Sequence, residues 1–304
     1  MKLGLVSAIL EHMNFEEMID FLSKAGFTCV EVACWPQGNK TRKYGGVCHI
    51  DVTKIDEDKA KYYIDYAEQK GITISALAYY PNVLDGDIEK RQFAIDHLNK
   101  VIKAASLMGV EYVTSFIGRD QTKDVESNLE LVKEVWPEII KLAEDSNVKI
   151  SIENCPMLFT RDEWPGGQNL MTRPDIWDKV FEILPSPNLG LNFDPSHFIW
   201  QRLDYIQVLR DYKDKLFYVH FKDIKLYPER LKKVGVMAYP LEYMDPKLPG
   251  YGDVNWNEFI STLAEIGYDG YTSIEVEDRA FEASNEKIEQ SVLVSKRYVD
   301  SLFY

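Results

Sequence analysis

The chain has 304 residues, 45% hydrophobic and 28% charged, an ordinary globular composition with length for one large domain or two average ones. Its formal net charge of −14 makes a surface that repels phosphate backbones and anionic lipid, so neither nucleic acid nor a membrane is expected as a partner. The opening MKLGLVSAILEHM has no small-residue cleavage site, and no later stretch is apolar for the length of a span; neither a signal peptide nor a membrane helix is expected, and the chain reads as cytoplasmic.

Strand and helix patterns alternate from one end to the other. LGLVSA (3–8) precedes the amphipathic FEEMIDFLSKAG, and TCVEVAC (28–34) is followed by a polar insertion and EDKAKYYIDYAEQKG. ITISALA (72–78) leads to EKRQFAIDHLNKVIKAASLMG, and EYVTSF (111–116) to VESNLELVKEVWPEIIKLAED. VKISIEN (148–154) leads through a long loop to RPDIWDKVFEIL, and NLGLNFD (188–194) to DYIQVLRDYKD. LFYVHF (216–221) leads through the longest loop to NWNEFISTLAEIG, and GYTSIEVE (270–277) to NEKIEQSVLVSKRYVDSLF. Gly26, Gly71, Gly109 and Gly267 stand where helix C-caps are needed. The strands are β-branched and nearly continuously apolar, as parallel strands covered on both faces should be. Eight strand–helix units predict an α/β fold, a closed (β/α)₈ TIM barrel, rather than an open sheet, whose first turn would carry a glycine-rich phosphate loop that SAILEHMN lacks. No linker divides residues 1–304, so a single domain is predicted, with long loops after strands two, five and seven. The four cysteines, Cys29, Cys34, Cys48 and Cys155, form no CxxC pair and read as reduced thiols.

Barrels of this kind build their sites at the C-terminal ends of the strands. Those ends carry Glu153, Asp194, His220 and Glu275 on strands five to eight. Singly, an acid there is most simply a salt-bridge partner, and Asp194–Pro195 a turn. Together, on strands about 5 Å apart, the four side chains converge. Three carboxylates in a half-buried mouth should raise one another's pKa, and a divalent cation removes that penalty. The donor set of three carboxylates and one imidazole suits Mn²⁺, Mg²⁺, Co²⁺ or Zn²⁺, with manganese the first expectation. Pro195 turns the chain so that His197 comes beside the same pocket.

The stretches SIENCP, NFDPSH, YVHFKD, LPGYGDVNW and SIEVED, spread over essentially the whole chain, resemble the xylose isomerase-like TIM-barrel superfamily, often labelled sugar phosphate isomerase/epimerase. Similarity to its ketose 3-epimerases implies that Glu153, Asp194, His220 and Glu275 are metal ligands and that His197 and Lys222 contact substrate. Inosose dehydratases and enzymes acting on 3-keto-glycosides share the architecture, as do the zinc AP endonucleases. The chain departs from the endonucleases: it has five histidines, and His12, His49 and His97 stand at no strand end. It departs from the epimerases in having no placed counterpart of their substrate arginine.

These residues predict a metal-dependent sugar isomerase or epimerase. Glu153 and Glu275 move a proton next to a carbonyl, and the metal charge stabilises an enediolate. The alternatives are a carbon–oxygen lyase or hydratase on keto-sugars, 3-keto-glycosides or inososes, and a non-catalytic sugar-binding subunit. EVEDRAFEAS after strand eight is acidic and lacks glycine, and PGYGD (249–253) sets a carboxylate beside its glycines, so an unphosphorylated small-molecule sugar is expected. Trp35, Tyr79, Phe159 and Trp164 are candidates to stack on sugar faces, and Lys222, Asp223, Arg119 and Arg279 to meet hydroxyls. A homo-oligomer is compatible with the resemblance.

Overall fold

The computed structural model describes residues 1–38, 45–158 and 160–303. Its centre is a barrel of strands β1 (Lys2–Val6), β2 (Cys29–Ala33), β3 (Thr73–Ala78), β4 (Tyr112–Ser115), β5 (Lys149–Glu153), β6 (Leu189–Phe193), β7 (Leu216–Phe221) and, after an insertion, β10 (Tyr271–Ile274). Each strand pairs in parallel with its neighbours in chain order, and β1 closes the ring against both β2 and β10. The (β/α)₈ barrel expected from the sequence is the fold.

Helices α1 (Phe15–Ala25), α2 (Glu57–Gln69), α3 (Ile88–Met108), α4 (Val125–Asp145) and α5 (Pro174–Ile183) surround the barrel with α7 (Tyr205–Asp211), α9 (Trp256–Glu265) and α10 (Asn285–Asp300). Helix α1 shows why they form. The Asn14 side chain accepts from the Glu17 N–H while Glu17 reaches back to the Asn14 N–H, both at 2.9 Å, a reciprocal cap that satisfies two donors the helix cannot. Phe15, Met18, Ile19 and Leu22 lie buried on one stripe, each worth roughly 1.5–3 kcal/mol of transfer. Gly26, at φ +77°, ends the helix in the left-handed conformation.

Two features were not anticipated. Pro195 does more than turn the chain, because it opens a short helix α6 (Ser196–Gln201) that carries His197. The long connection after β7 contains an antiparallel pair, β8 (Asp223–Leu226) and β9 (Met244–Lys247), with a short helix α8 (Pro228–Val234) between them. This insertion stands over the C-terminal mouth and has its own small apolar cluster, separate from the main core.

Alternation sorts the strand residues. On β7, Val219 and Phe221 join the outer core, while Tyr218 turns inward and meets Ser75 and Ser273 hydroxyls, each at 2.8 Å. His220 shares the inward face, two residues further up. The polar barrel interior therefore rises on the same side-chain set that reaches the mouth.

Candidate active site

Glu153 is the last residue of β5, Asp194 follows β6, His220 is next to last on β7 and Glu275 follows β10. Glu153, His220 and Glu275 offer ligand atoms that all lie within 4.8 Å of one another. His220 Nδ1 is 3.4 Å from Glu275 Oε2 and 3.8 Å from Glu153 Oε1. Asp194 reaches this group through His197, whose Nε2 lies 3.1 Å from Asp194 Oδ2 and 3.6 Å from Glu153 Oε1. The other Asp194 oxygen accepts the Ser196 N–H at 2.8 Å, and its backbone exchanges two hydrogen bonds with the Asn154 amide. These contacts fix the Asp194 carboxylate and leave Oδ2 facing the cluster.

The atoms at the centre are buried and unmatched. Glu153 Oε1, Asp194 Oδ2, His197 Nε2, His220 Nδ1 and Glu275 Oε2 all lack a hydrogen-bond partner of acceptable geometry. Folded proteins rarely leave such atoms orphaned, because each costs about 1–3 kcal/mol. Five on facing side chains fit a cation that accepts their lone pairs, and oxygen with one or two imidazoles is a donor set for a borderline divalent ion.

Sequence reasoning missed what orients His220. Glu31, fully buried on β2, accepts from His220 Nε2 at 2.7 Å, from the Thr114 hydroxyl at 2.7 Å and from the Tyr80 hydroxyl. A carboxylate on Nε2 holds the proton there and turns the Nδ1 lone pair toward the cluster. The Asn192 side-chain amide packs on the same ring at 3.0 Å. The available signal was one charged residue in the middle of the apolar run TCVEVAC. Cys155 also joins, since it lies with Glu153 and His197 inside a 4.8 Å group.

Electrostatics corrects one expectation. Burial pushes the Glu275 carboxyl up, with Lys222 pulling it back and Glu153 adding to the rise. Glu153 behaves otherwise. Burial would raise it, but His197 and His220 beside it hold it well below the usual carboxylate range. Burial would lower both imidazoles; instead, Glu31, Glu153 and Glu275 keep His220 well above its ordinary range, and Cys155 with Asp194 does the same for His197. The carboxylates draw positive charge to the spot, a charge that a divalent ion would supply in place of those protons.

Lys222, buried, spans Glu275 at 3.0 Å and Glu277 at 2.8 Å; burial disfavours its charge, but the two acids keep it well above its usual range. Trp35, His197 and Lys222 line a cavity of about 350 Å³ above the cluster, and Arg279 lines its exposed rim. Two aromatic assignments need correction. Tyr79 is buried in the main core, with its ring 4.7 Å from His97 and 5.0 Å from Trp35; the next residue, Tyr80, faces the cavity. Trp164 packs on Trp200 at 6.0 Å and donates its indole N–H to the Met237 carbonyl at 3.0 Å, so it backs the wall rather than lining it. Phe159 lies outside the described residues. Arg119 is tied to the Gly166 carbonyl at 3.1 Å.

Asp223 and the glycines of PGYGD bind each other. The Asp223 carboxylate accepts from the N–H groups of Gly250, Gly252, Val254 and Ile224 and from the Trp256 indole, between 2.9 and 3.1 Å. A Cβ on Gly252 would fall 2.1 Å from Asp223 Oδ1, so only glycine permits the approach.

A family model described as xylose isomerase-like TIM barrel matches residues 19–298. The chain belongs to that family. An inosose dehydratase of Clostridium tetani is 26% identical over 62% of this chain and 61% of that protein. Among solved structures, the IolI protein with a bound zinc atom superposes with a TM-score of 0.73 at 20% identity, covering 100% of this chain and 99% of that one. D-psicose 3-epimerase from Clostridium cellulolyticum H10, solved with D-tagatose, gives 0.69 at 18% identity, covering 99% of both chains. Among the described residues, no helix is long and apolar enough to cross a membrane.

Proposed function

We propose that the protein is a metal-dependent isomerase or epimerase of an unphosphorylated ketose or keto-sugar. The observation that carries the reading is the set of buried, unmatched atoms on Glu153, Asp194, His220 and Glu275, with Glu153, His220 and Glu275 offering ligand atoms within 4.8 Å of one another and Asp194 joined to them through His197. These four residues would hold the ion, with manganese the first candidate. When bound, the ion supplies the positive charge that stabilises an enediolate.

The remaining work falls to the chain. Glu153 and Glu275 stand on strands separated by β6 and β7, so they reach a substrate carbon from different sides and can take a proton from one face and return it to another. His197 and Lys222 line the cavity beside them and bind sugar oxygens. The unphosphorylated substrate is supported by Asp223, which occupies the backbone N–H groups of Gly250 and Gly252, the kind of group that holds phosphate in other barrels. The likeness to inosose dehydratase favours a second reading, loss of water from the same enediolate.

Two measurements test this. Protein purified without chelator should carry one divalent ion per chain by mass spectrometry, lost in Asp194→Ala. Proton NMR in D₂O over a panel of ketoses, inososes and 3-keto-glycosides should show solvent deuterium in an intact sugar; loss of water would select the second reading. A chain that takes up no metal on reconstitution sinks both.

A further inference from the structure

The cavity has two chemically different ends. Its floor is the acid and imidazole cluster with Lys222, enough polar groups for the oxygens of one sugar ring. Its far wall comes from the insertion after β7 and from α6. Trp200, Ile224 and Met244 belong to the separate apolar cluster, with Leu158 and Leu241 packed against it, and all five face the cavity.

A second sugar ring is a poor fit for that wall. A ring carries a hydroxyl on nearly every carbon, and each one desolvated without a partner costs on the order of 1–3 kcal/mol. Of the five wall residues facing the cavity, Trp200 alone carries a side-chain hydrogen-bond donor. The Trp200 indole N–H is buried and has no partner, which suits a single acceptor on an otherwise apolar group.

The wall is also held in place. The Tyr239 hydroxyl donates to the Leu158 carbonyl at 3.3 Å, Arg161 pairs with Glu242 at 3.1 Å and the Trp164 indole holds the Met237 carbonyl at 3.0 Å. These contacts clasp the loop after β5 to the insertion after β7. A wall fixed before the ligand arrives costs less ordering on binding. The volume of about 350 Å³ lies toward the lower end of the roughly 300–1,000 Å³ usual for small-molecule sites.

We propose that the cavity takes a glycoside, with its sugar ring on the acid and imidazole floor and an apolar, aromatic-sized aglycone against the wall of Trp200, Ile224, Leu241 and Met244. The assignment of the ring to the floor rests on the sugar chemistry proposed above; the aglycone end rests on the wall.

The test is calorimetric binding of phenyl and methyl D-glucosides, in both anomers and as their 3-keto forms, to the metal-loaded full chain. At least one phenyl compound should bind tenfold or more tighter than its methyl partner. Leu241→Asn and, as a second variant, Met244→Asn should each bring that ratio to within about twofold, with circular dichroism confirming the fold. Equal affinity of each phenyl and methyl pair, no detectable binding of any phenyl glycoside at millimolar concentration, or a preference that survives in both folded variants overturns the proposal. Binding needs no turnover. A phenyl preference without deuterium exchange in any sugar would therefore keep the aglycone site and remove the isomerase reading, and exchange without the preference would do the reverse.

Discussion

Asp223 and Glu153 are both buried carboxylates above the barrel, yet their surroundings are opposite. Asp223 accepts five hydrogen bonds from backbone and indole N–H groups. Glu153 keeps an oxygen that meets no donor in hydrogen-bond geometry, with His197 at 3.6 Å and His220 at 3.8 Å. Burial is the same, and satisfaction separates them. A carboxylate whose lone pairs are all used holds structure together, whereas one left short, among others left short, is kept for a ligand.

Removing each acid in turn separates the two roles. Asp223→Ala orphans several buried N–H groups at roughly 1–3 kcal/mol apiece, so a loss above about 3 kcal/mol is expected. The thermal midpoint should fall on the order of 10 °C at the few degrees per kcal/mol typical of larger domains. Glu153→Gln removes the charge that His197 and His220 stabilise, so the midpoint of the metal-free protein should fall, but by clearly less than in Asp223→Ala. A scanning-calorimetry drop in Glu153→Gln as large as that in Asp223→Ala would mean that the orphaned oxygen does not mark function.

His49 extends the comparison to a buried base. Its Nδ1 lies 3.0 Å from the Ser7 hydroxyl, which itself accepts the Ala33 N–H, and its Nε2 lies 3.3 Å from the Leu10 carbonyl. Neutral imidazole satisfies this chain: Nδ1 accepts and Nε2 donates. Burial lowers its pKa to about 4, the Leu10 carbonyl opposing. The folded state thus binds a proton less readily than the unfolded chain, in which His titrates near 6.5. Its contribution to stability is complete above about pH 6.5 and is lost as pH falls toward 4, by about 3 kcal/mol at most. Urea unfolding at pH 7 and pH 4.5 should show that loss on top of the carboxylate contribution, and His49→Gln should lack that part. Equal pH slopes in the two proteins would count against a neutral, buried His49.

Much of this is legible in the sequence. The eight strand–helix units follow from the two periodicities of the chain, and of the four donors read at strand ends Glu153, His220 and Glu275 come within 4.8 Å of one another, while Asp194 meets His197. The capping glycines at 26 and 109 lie in the left-handed conformation as expected. What was not legible depends on direction over one or two residues. Tyr79 and Tyr80 are adjacent, and the strand alternation of β3 continues past its end, so that Ala78 and Tyr80 face the cavity while Tyr79 turns to the main core. The β8 and β9 pair was hidden because MDPK has little strand character of its own; it pairs through β8 and its small apolar cluster.

Glu31 is the smallest and most instructive case. It touches no proposed ligand atom directly, since its oxygens go to His220 Nε2, Tyr80 and Thr114. Burial and the Glu31 charge keep the Tyr80 hydroxyl well above its usual range, so Tyr80 stays a donor. Glu31→Gln keeps the size and one acceptor oxygen but removes the charge that fixes the His220 proton on Nε2, making Glu31 a positioning residue. Partners of this kind typically cost 10–100-fold in metal affinity when altered. Competition against a fluorescent chelator should therefore show an affinity loss in that range, with the metal-free thermal midpoint close to that of the parent. An unchanged affinity would mean that β6 and β7 orient His220 without help. A collapsed midpoint would place Glu31 beside Asp223, among the acids that hold the barrel together.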